Sequence, residues 1–351
     1  MAQIEKTRRI RNEEDNCGIM NKSGKNRIIR YAALAVLLAL VVLAGAAAAA
    51  KAYSMYMNLC RKMDYSNETV SALEVRIGEV EGSLHKRMDD VERLVNQAVK
   101  HYDFDYSWVS KSPLIAHAMG GIDGKMYTNS REAFLYNYEI GHRVFEVDFD
   151  VTVPENALVA SHDVDTWRKK TGTAADVPFT YDTFRATKIH GAYTPIDYRD
   201  VIDLMSEYPD IYVITDTKYT DQPTVMMQFA QLVRYALEKD ASVLDRLIPQ
   251  IYHEAMLEYV MEVYPFRSVV FTLYATQWTK ESVLDFAQRT GVNFITISRK
   301  RIKDDFLQLM KDNGIYVGSH TSNDLEETQG WFDKGLDMMY TDYLTPADVK
   351  R

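Results

Sequence analysis

Cysteine is scarce in this sequence of 351 residues. Its two cysteines, Cys17 and Cys60, both lie ahead of the part of the chain that has the pattern of a folded domain. A disulfide framework, a thiolate metal site and a cysteine nucleophile are therefore excluded from that domain. An excess of basic residues is also missing, because the formal net charge is -9. Nucleic acid binding needs clustered cations, so no nucleic acid partner is expected.

Charged and strongly polar side chains are absent from residues 31–50, and a helix of this length spans about 30 Å, the thickness of the bilayer interior. The pattern predicts a transmembrane helix. The leader at residues 1–30 is rich in lysine and arginine, which places it in the cytoplasm. We therefore expect a single-pass protein of the cell membrane whose remaining chain is extracytoplasmic. A buried core helix and a cleaved signal peptide, suggested by the alanines at 46–50, are the alternatives.

Residues 51–109 are predicted to form a helical stalk. Between residues 70 and 98, apolar side chains recur at alternating spacings of three and four, which is typical of a coiled coil. These positions are Val70, Leu73, Ile77, Val80, Leu84, Val91, Leu94 and Ala98. A coiled coil here would make the protein a homo-oligomer. A single amphipathic helix packed on its own domain is the alternative.

Residues 110–351 alternate short β-rich runs with helical patterns, and the first run is not followed by a glycine-rich loop. The predicted strands are Leu114 to His117, Val144 to Val151, Ile211 to Thr215, Leu247 to Tyr252, Ser268 to Leu273, Asn293 to Ile297, Ile315 to Gly318 and Met338 to Thr341. A two-stranded excursion, Ala157 to Ser161, follows the second run. This order predicts an α/β fold, a (β/α)8 TIM barrel, rather than an open doubly wound sheet.

The second predicted strand carries Glu146, Asp148 and Asp150 on one face, since side chains alternate along a strand. Carboxylates in register repel one another unless a cation lies among them or the face is open to water. In a barrel the active site lies at the carboxyl ends of the strands, where Asp216 follows the third run. Hard oxygen ligands favour Ca²⁺ or Mg²⁺, so we predict a metal held by Glu146, Asp148 and Asp216, with Asp150 outside the ligand set.

Barrel salt bridges are the alternative interpretation of these acids. Glu146 and Asp148 would then pair with Arg143, Arg168 or Lys218.

Two histidines and a lysine fall at the same predicted barrel mouth. His117 ends the first run, His162 follows the excursion, and Lys218 follows the third run. A histidine titrates near neutrality and can act as acid or base. With a divalent cation and Lys218 to stabilise phosphoryl charge, the set suits cleavage of an anionic phosphodiester. Each histidine taken alone is more often a structural residue.

Two further polar features have structural interpretations. Asn129 and Glu132 have the spacing of a helix capping box, and this is the interpretation we prefer for both. Asp342 would cap the last turn of the domain.

The domain resembles the glycerophosphodiester phosphodiesterases, within the wider phospholipase C-like phosphodiesterase barrels. The resemblance covers nearly all of residues 112 to 347. Its motifs are Ile115-Ala116-His117, Asn129-Ser130-Arg131-Glu132-Ala133-Phe134, Gly141, Glu146-Val147-Asp148, Val159-Ala160-Ser161-His162-Asp163, Asp216-Thr217-Lys218, Thr321-Ser322-Asn323-Asp324 and Gly335 to Asp342.

This resemblance implies a phosphoric diester hydrolase in which His117 and His162 are the acid and base and Lys218 faces the phosphate. The triad of Glu146, Asp148 and Asp216 would hold the metal. The family's usual mechanism, attack by a neighbouring substrate hydroxyl, leaves no protein nucleophile to identify.

The chain also departs from the family. His117-Ala118-Met119-Gly120-Gly121 replaces the usual His-Arg-Gly, Asp216 replaces a glutamate, and His320 replaces the tryptophan that lines the substrate pocket. The expected substrate is a glycerophosphodiester, a phospholipid head group or a glycerol-phosphate polymer. The alternative functions are a membrane-anchored receptor or scaffold without catalysis and a lyase that stops at a cyclic phosphate.

Overall fold

The computed structural model describes residues 44–55, 57, 75–88, 100–274, 277–303 and 305–350. The chain divides into two compact units, Met1–Lys100 and His101–Arg351. In the first unit, residues 44–55 and 75–88 are helical. A search of the described residues finds no helix that is long and apolar enough to cross a membrane. Residues 1–43, which hold the predicted leader and most of the predicted membrane helix, lie outside the described residues.

The predicted stalk is described only in part. Residues 58–74 and 89–99 lie outside the described residues, so most of the predicted seam cannot be followed. Within the helix at 75–88, Ile77 and Leu84 are partly buried and Val80 is exposed over 58% of its surface. The coiled coil stays a prediction.

A closed parallel barrel forms the second unit. Its strands are β1 (Leu114–Ala116), β2 (Val144–Val151), β4 (Tyr212–Asp216), β5 (Leu247–Ile251), β6 (Val270–Thr272), β7 (Phe294–Thr296), β8 (Tyr316–Ser319) and β9 (Met338–Thr341). Each pairs in parallel with the next, and β1 pairs with both β9 and β2, which closes the barrel. β3 (Leu158–Ala160) pairs antiparallel with β2 as the predicted excursion. The predicted (β/α)8 barrel is confirmed.

Helices surround the barrel. They are α1 (Arg131–Glu139), α2 (Val164–Thr171), α3 (Tyr181–Ala186), α4 (Tyr198–Glu207), α5 (Gln222–Lys239), α6 (Glu254–Val263), α7 (Lys280–Thr290), α8 (Phe306–Asp312) and α9 (Leu325–Asp333). Side-chain caps begin most of them. Asp221 accepts a hydrogen bond from the Thr224 amide at the start of α5, and Thr279 does the same for Ser282 at α7. Their apolar faces pack on the outer side of the strands.

The amino-terminal end of the barrel is filled by apolar side chains. One inward-facing residue from each of several strands forms this layer, including Ile115, Val144 and Phe294. Tyr106 and Trp108 close it from below, and Trp108 donates a hydrogen bond to Oγ of Ser268 over 2.8 Å. Residues 101–109, predicted as part of the stalk, thus belong to the barrel unit, which begins at His101 rather than at residue 110.

An insertion between β2 and α4 contains β3, α2 and α3. It has a small core of its own, in which Val159, Trp167, Phe179 and Phe184 pack together. This core fixes α2 relative to β3. It therefore positions His162, which lies between these two elements.

Candidate active site

The acidic cluster arises from the register of two neighbouring strands. Asp148 on β2 is the direct partner of Asp216 on β4, so their side chains lie next to each other. Glu146 lies two residues earlier on β2 and therefore shares the inner face with Asp148. All three side chains are buried, and their potential ligand atoms lie within 4.8 Å of one another. Asp150 lies apart, where its carboxylate accepts a hydrogen bond from the Tyr219 hydroxyl over 3.0 Å.

Burial raises the pKa of all three carboxyls, and neighbouring charges and hydrogen bonds decide the net direction of each shift. Burial raises the pKa of Glu146 to about 8, with a further contribution from the negative charge of Asp148. Burial also raises the pKa of Asp216. Burial acts the same way on Asp148, but the positive charges of Lys218 and His117 and hydrogen bonds outweigh it, so its pKa is lowered. The cluster therefore shares a limited negative charge rather than three full charges.

Lys218 lies against the cluster and contacts two of its members. Its Nζ is 2.6 Å from Oδ1 of Asp148 and also donates to Oδ2 of Asp216. Burial acts to lower the pKa of Lys218, but the charges of Asp148 and Asp216 raise it above its usual range. The salt-bridge interpretation is thus realised for the pair of Lys218 and Asp148. It is not realised for the two arginines, because Arg143 pairs with Asp210 and Arg168 with Asp165.

The residues of the cluster fit a divalent cation. Oδ1 of Asp216 is buried and has no hydrogen-bond partner among the described residues, which is what an oxygen reserved for a metal would show. One oxygen of Glu146 accepts a 2.7 Å hydrogen bond from the Ala118 amide, which orients this carboxylate. Three carboxylates without a histidine or cysteine ligand suit Ca²⁺ and Mg²⁺ alike.

Asn129 holds Asp148 with two hydrogen bonds. Its Nδ2 donates to Oδ2 of Asp148 over 3.0 Å, and its Oδ1 accepts from the Asp148 amide over 3.1 Å. The predicted capping box of Asn129 and Glu132 is therefore wrong. Ser130 caps α1 instead, and Glu132 accepts hydrogen bonds from the amide and hydroxyl of Thr194. The capping residue is Ser130, one position after the predicted one, and Asn129 instead supports the carboxylate cluster.

His117 is held by Asp342. Ala116 on β1 is the register partner of Thr341 on β9, so the residue after each strand lies beside the other. Nδ1 of His117 is 3.0 Å from Oδ1 of Asp342, and the His117 side chain is only 12% exposed. Burial lowers the pKa of His117, but the hydrogen bond to Asp342 and the charges of Glu146 and Asp148 raise it, for a net value of about 9.

The backbone around His117 depends on glycine. The Gly121 amide donates a 2.6 Å hydrogen bond to the carbonyl of Asp342, and a Cβ on Gly121 would lie 2.5 Å from that same oxygen. A side chain at this position would force apart the loops that carry His117 and Asp342. Gly121 therefore has a direct role in the site.

His162 is held in a similar way by the cap of α2. Its Nδ1 lies 2.5 Å from Oδ2 of Asp163, whose other oxygen accepts from the Thr166 amide at the helix start. Tyr127 lies between the two histidines. Its ring centre is 4.5 Å from that of His117 and 5.6 Å from that of His162, edge to face in both cases. Tyr127 has a positive φ of 57°, which is uncommon for an aromatic residue.

A cavity of about 430 Å³ brings these residues together. All seven predicted site residues line it: His117, Glu146, Asp148, His162, Asp216, Lys218 and His320. Burial lowers the pKa of His320 to about 4, so this imidazole is neutral at pH 7. Its ring packs near those of Tyr274 and Tyr340. His320 therefore contributes a polar wall to the cavity rather than a positive charge.

Sequence reasoning missed several residues of the site. Tyr127 and Tyr274 line the cavity, and neither stands in a recognisable motif. Asp342 was interpreted as the cap of the last turn, although it follows the last strand in the same way that His117 follows the first. This shared position was the signal that could have placed Asp342 beside His117, because β1 and β9 are neighbours in any closed barrel of this order.

Comparisons of the whole structure find solved barrels of the same kind. A protein from Silicibacter pomeroyi named as a glycerophosphoryl diester phosphodiesterase matches with a TM-score of 0.56 and 17% identity, over 72% of this chain and 94% of that one. A glycerophosphodiester phosphodiesterase from Parabacteroides distasonis matches with a TM-score of 0.52 and 16% identity, over 66% of this chain and 94% of that one. An Oleispira antarctica phosphodiesterase was solved with its product sn-glycerol-3-phosphate. It matches with a TM-score of 0.54 and 17% identity, over 67% of this chain and 95% of that one.

No protein-family model and no curated protein matches the sequence. At these identities the structural likeness concerns the fold. The chain therefore has the barrel fold found in structures of glycerophosphodiester phosphodiesterases.

Proposed function

We propose that the protein is a metal-dependent phosphoric diester hydrolase that cleaves a glycerophosphodiester-type bond. The observation that carries this proposal is the meeting of His117 and His162 with the buried carboxylate triad in one cavity. Solved barrels of the same fold bear phosphodiesterase names, and one was solved with sn-glycerol-3-phosphate, which supports the same reaction class.

Each histidine is held by a carboxylate at Nδ1 and keeps Nε2 for proton transfer. One imidazole takes a proton from the attacking hydroxyl or water, and the other gives a proton to the leaving oxygen. Tyr127 fixes the two rings relative to each other by packing between them. Acid and base therefore act from two separate elements, the end of β1 and the start of α2.

The triad would hold a divalent cation, which when bound supplies positive charge to stabilise a phosphoryl oxygen. Lys218 keeps Asp148 ionised, because its positive charge lowers the pKa of that carboxyl. Asn129 fixes the orientation of the same carboxylate. The chain thus prepares its ligands before the cation binds.

The test is an assay of the full-length protein by phosphorus NMR with glycerophosphocholine and glycerophosphoglycerol as substrates. We expect glycerol phosphate to form with Ca²⁺ or Mg²⁺ and no turnover with EDTA. The His117→Ala and His162→Ala variants should lose at least 100-fold in kcat, within the range typical of general acid or base catalysis. His85→Ala, which removes an exposed histidine from the helix at 75–88, is the matched control.

Absence of metal-dependent turnover by folded protein would overturn the proposal. A cyclic phosphate as the final product would instead identify a lyase, since phosphorus NMR resolves the two products.

We further propose that residues 31–50 anchor the protein in the cell membrane, with the leader cytoplasmic and the barrel extracytoplasmic, and that residues 70–98 join copies into a homo-oligomer. The uncharged run, the basic leader and the heptad spacing support this arrangement. Protease added to intact cells should remove the barrel and leave the leader protected. Full-length protein in detergent should exceed the monomer mass in light scattering, and a monomer would contradict the oligomer.

A further inference from the structure

A second cavity of about 450 Å³ adjoins the candidate active site. It shares two lining residues, Tyr127 and His162, with the first cavity. Its other lining residues are Thr166, Lys169, Lys170 and His190, which all come from the insertion between β2 and α4. The two cavities therefore meet at the rings of Tyr127 and His162.

This second cavity is lined by positive charge. Lys169 and Lys170 occupy the last turn of α2, and neither forms an ion pair with a carboxylate in the part of the chain that the structure describes. Burial lowers the pKa of Lys170 and the charges of Lys169 and Lys125 add to that effect, while the charges of Asp342 and Asp148 oppose it without reversing it. Neighbouring cations that repel one another at a cavity wall are costly unless an anion joins them.

Lys170 is fixed in place rather than extended into solvent. Its Nζ donates a hydrogen bond to the carbonyl of Met126 and lies 5.7 Å from the ring centre of Tyr127. Its carbonyl accepts a 2.8 Å hydrogen bond from the amide of His190, which ties the loop at 188–191 to the end of α2. The charge is thus held beside the aromatic ring that packs on His117.

We propose that this cavity binds a second phosphate of the substrate, joined by a short linker to the phosphodiester at the triad. The proposal rests on the function proposed above and narrows its substrate class to phosphodiesters that carry at least one further phosphate, such as glycerol-phosphate oligomers. Two lysines in the lining, the exposed Lys169 and the partly buried Lys170, suit a phosphate and disfavour a cationic head group such as choline.

The experiment compares two substrates of the full-length protein, glycerophosphoglycerol with one phosphate and a glycerol-phosphate oligomer with two. The ratio of their kcat/KM values, two-phosphate over one-phosphate, is the measured quantity. In the K169Q/K170Q variant we expect this ratio to fall by about tenfold or more, the effect of losing a charge-assisted hydrogen bond. Lys311→Gln is the matched control, because Lys311 lies in the last turn of α8, and its ratio should not change.

Binding separates this proposal from the proposed function. Calorimetry with the two-phosphate compound on the His117→Ala protein should show weaker binding when K169Q/K170Q is added, whether or not the wild-type protein turns over either substrate. If wild-type protein hydrolyses neither substrate, the proposed function fails while the calorimetric comparison still tests the second cavity. The single K169Q variant, which changes an exposed residue, repeats the comparison if the double variant is unstable.

An unchanged substrate ratio together with unchanged binding would overturn the proposal. The proposal would also be overturned if the K169Q/K170Q variant lost binding of inorganic phosphate while the ratio of the two kcat/KM values stayed constant. The cavity would then bind free phosphate rather than the substrate.

Discussion

Asp342 lies 3.0 Å from Nδ1 of His117, across the junction between the last and first strands of the barrel. A carboxylate oxygen accepts hydrogen bonds, so Nδ1 of His117 is the donor and Nε2 is left for the proton transfer proposed above. Asn323 holds the same carboxylate from the other side, because its Nδ2 donates to Oδ2 of Asp342 over 2.8 Å. The orientation of the imidazole is thus set by two residues that never need to touch substrate.

Asp342→Asn should lower kcat by about 10- to 100-fold with little change in KM. The amide keeps the shape of the side chain but removes the charge, and it can present a donor to Nδ1 and so favour the wrong tautomer. The same change should lower the pKa of His117 in metal-free protein, which NMR titration of its imidazole would show. Asp348→Asn removes an exposed carboxylate that accepts from the Thr345 amide and should leave both readouts unchanged. Equal losses in the two variants would refute a positioning role.

Metal-free protein should become less stable as pH rises from about 6.5 to 9. Folding raises the pKa of Glu146 from 4.5 to about 8 and that of His117 from 6.5 to about 9. Each group then contributes stability that is fully present below its unfolded pKa and is lost as pH rises through its folded pKa. The buried His142 and His320, whose pKa values fall to about 4, oppose this trend only near pH 6.5, because above about pH 7.5 they are neutral in both the folded and the unfolded state.

The expected loss is on the order of a few kcal/mol in the free energy of unfolding. Urea unfolding in EDTA at several pH values measures it. Added Ca²⁺ or Mg²⁺ should restore stability mainly at the upper end of the range, since the cation binds the ionised carboxylates. Glu146→Gln should flatten the dependence, because an amide does not titrate. A slope that is the same in this variant would show that other groups cause it.

Asn129→Ala should weaken metal binding by about 10- to 100-fold. The change removes both hydrogen bonds that hold Asp148, so the ligand loses its fixed orientation. Calorimetric titration with Ca²⁺ and Mg²⁺ measures the affinity directly, without reference to turnover. Asn313→Ala, at the end of α8, is the matched control. Unchanged affinity in Asn129→Ala would mean that Asp148 does not ligate the cation.

The sequence predicted the barrel because its strands and helices follow simple periodicities, and the predicted runs Val144 to Val151 and Met338 to Thr341 coincide with β2 and β9. The carboxylate cluster was also predictable, since polar residues at the carboxyl ends of strands face one mouth. The order of the strands makes β1 and β9 neighbours, but the contact between His117 and Asp342 also depends on their register, which the sequence does not specify. Asn129 was assigned to the wrong partner because capping patterns are short and recur by chance.

Tyr127 had no sequence signal at all. Its position depends on a loop with several residues of positive φ, among them Tyr127 and Asn129, which local propensity does not predict. The sequence offered Glu146 and Asp148 as partners of Lys218, and only the three-dimensional structure shows that Lys218 lies beside Asp148 and Asp216 at once.

Tyr127→Ala should lower kcat more than tenfold, whereas Tyr127→Phe should retain activity within a few-fold. The ring separates His117 from His162 by edge-to-face packing, and phenylalanine preserves that ring while it removes only the hydroxyl. Burial and nearby carboxylates raise the pKa of the Tyr127 hydroxyl to about 12, so it stays protonated at neutral pH. Steady-state kinetics on the same substrate compare the variants. A larger loss in Tyr127→Phe would assign the catalytic contribution to the hydroxyl.

Trp108→Ala should reduce the free energy of unfolding by about 3–5 kcal/mol and leave kcat unchanged at low temperature. Trp108 is 1% exposed, its ring centre lies 4.8 Å from that of Phe294 at the start of β7, and its Nε1 donates to Ser268 just ahead of β6. The candidate site lies at the opposite ends of the strands, so a change at Trp108 should affect the stability of the barrel and not the reaction. Tyr136→Ala removes an aromatic residue that is 48% exposed and should reduce the free energy of unfolding far less.

A protein that begins at residue 110 loses Tyr106 and Trp108 together and should unfold at a lower temperature than one that begins at residue 101. Equal melting temperatures for those two proteins would show that the segment at 101–109 does not contribute to the barrel core.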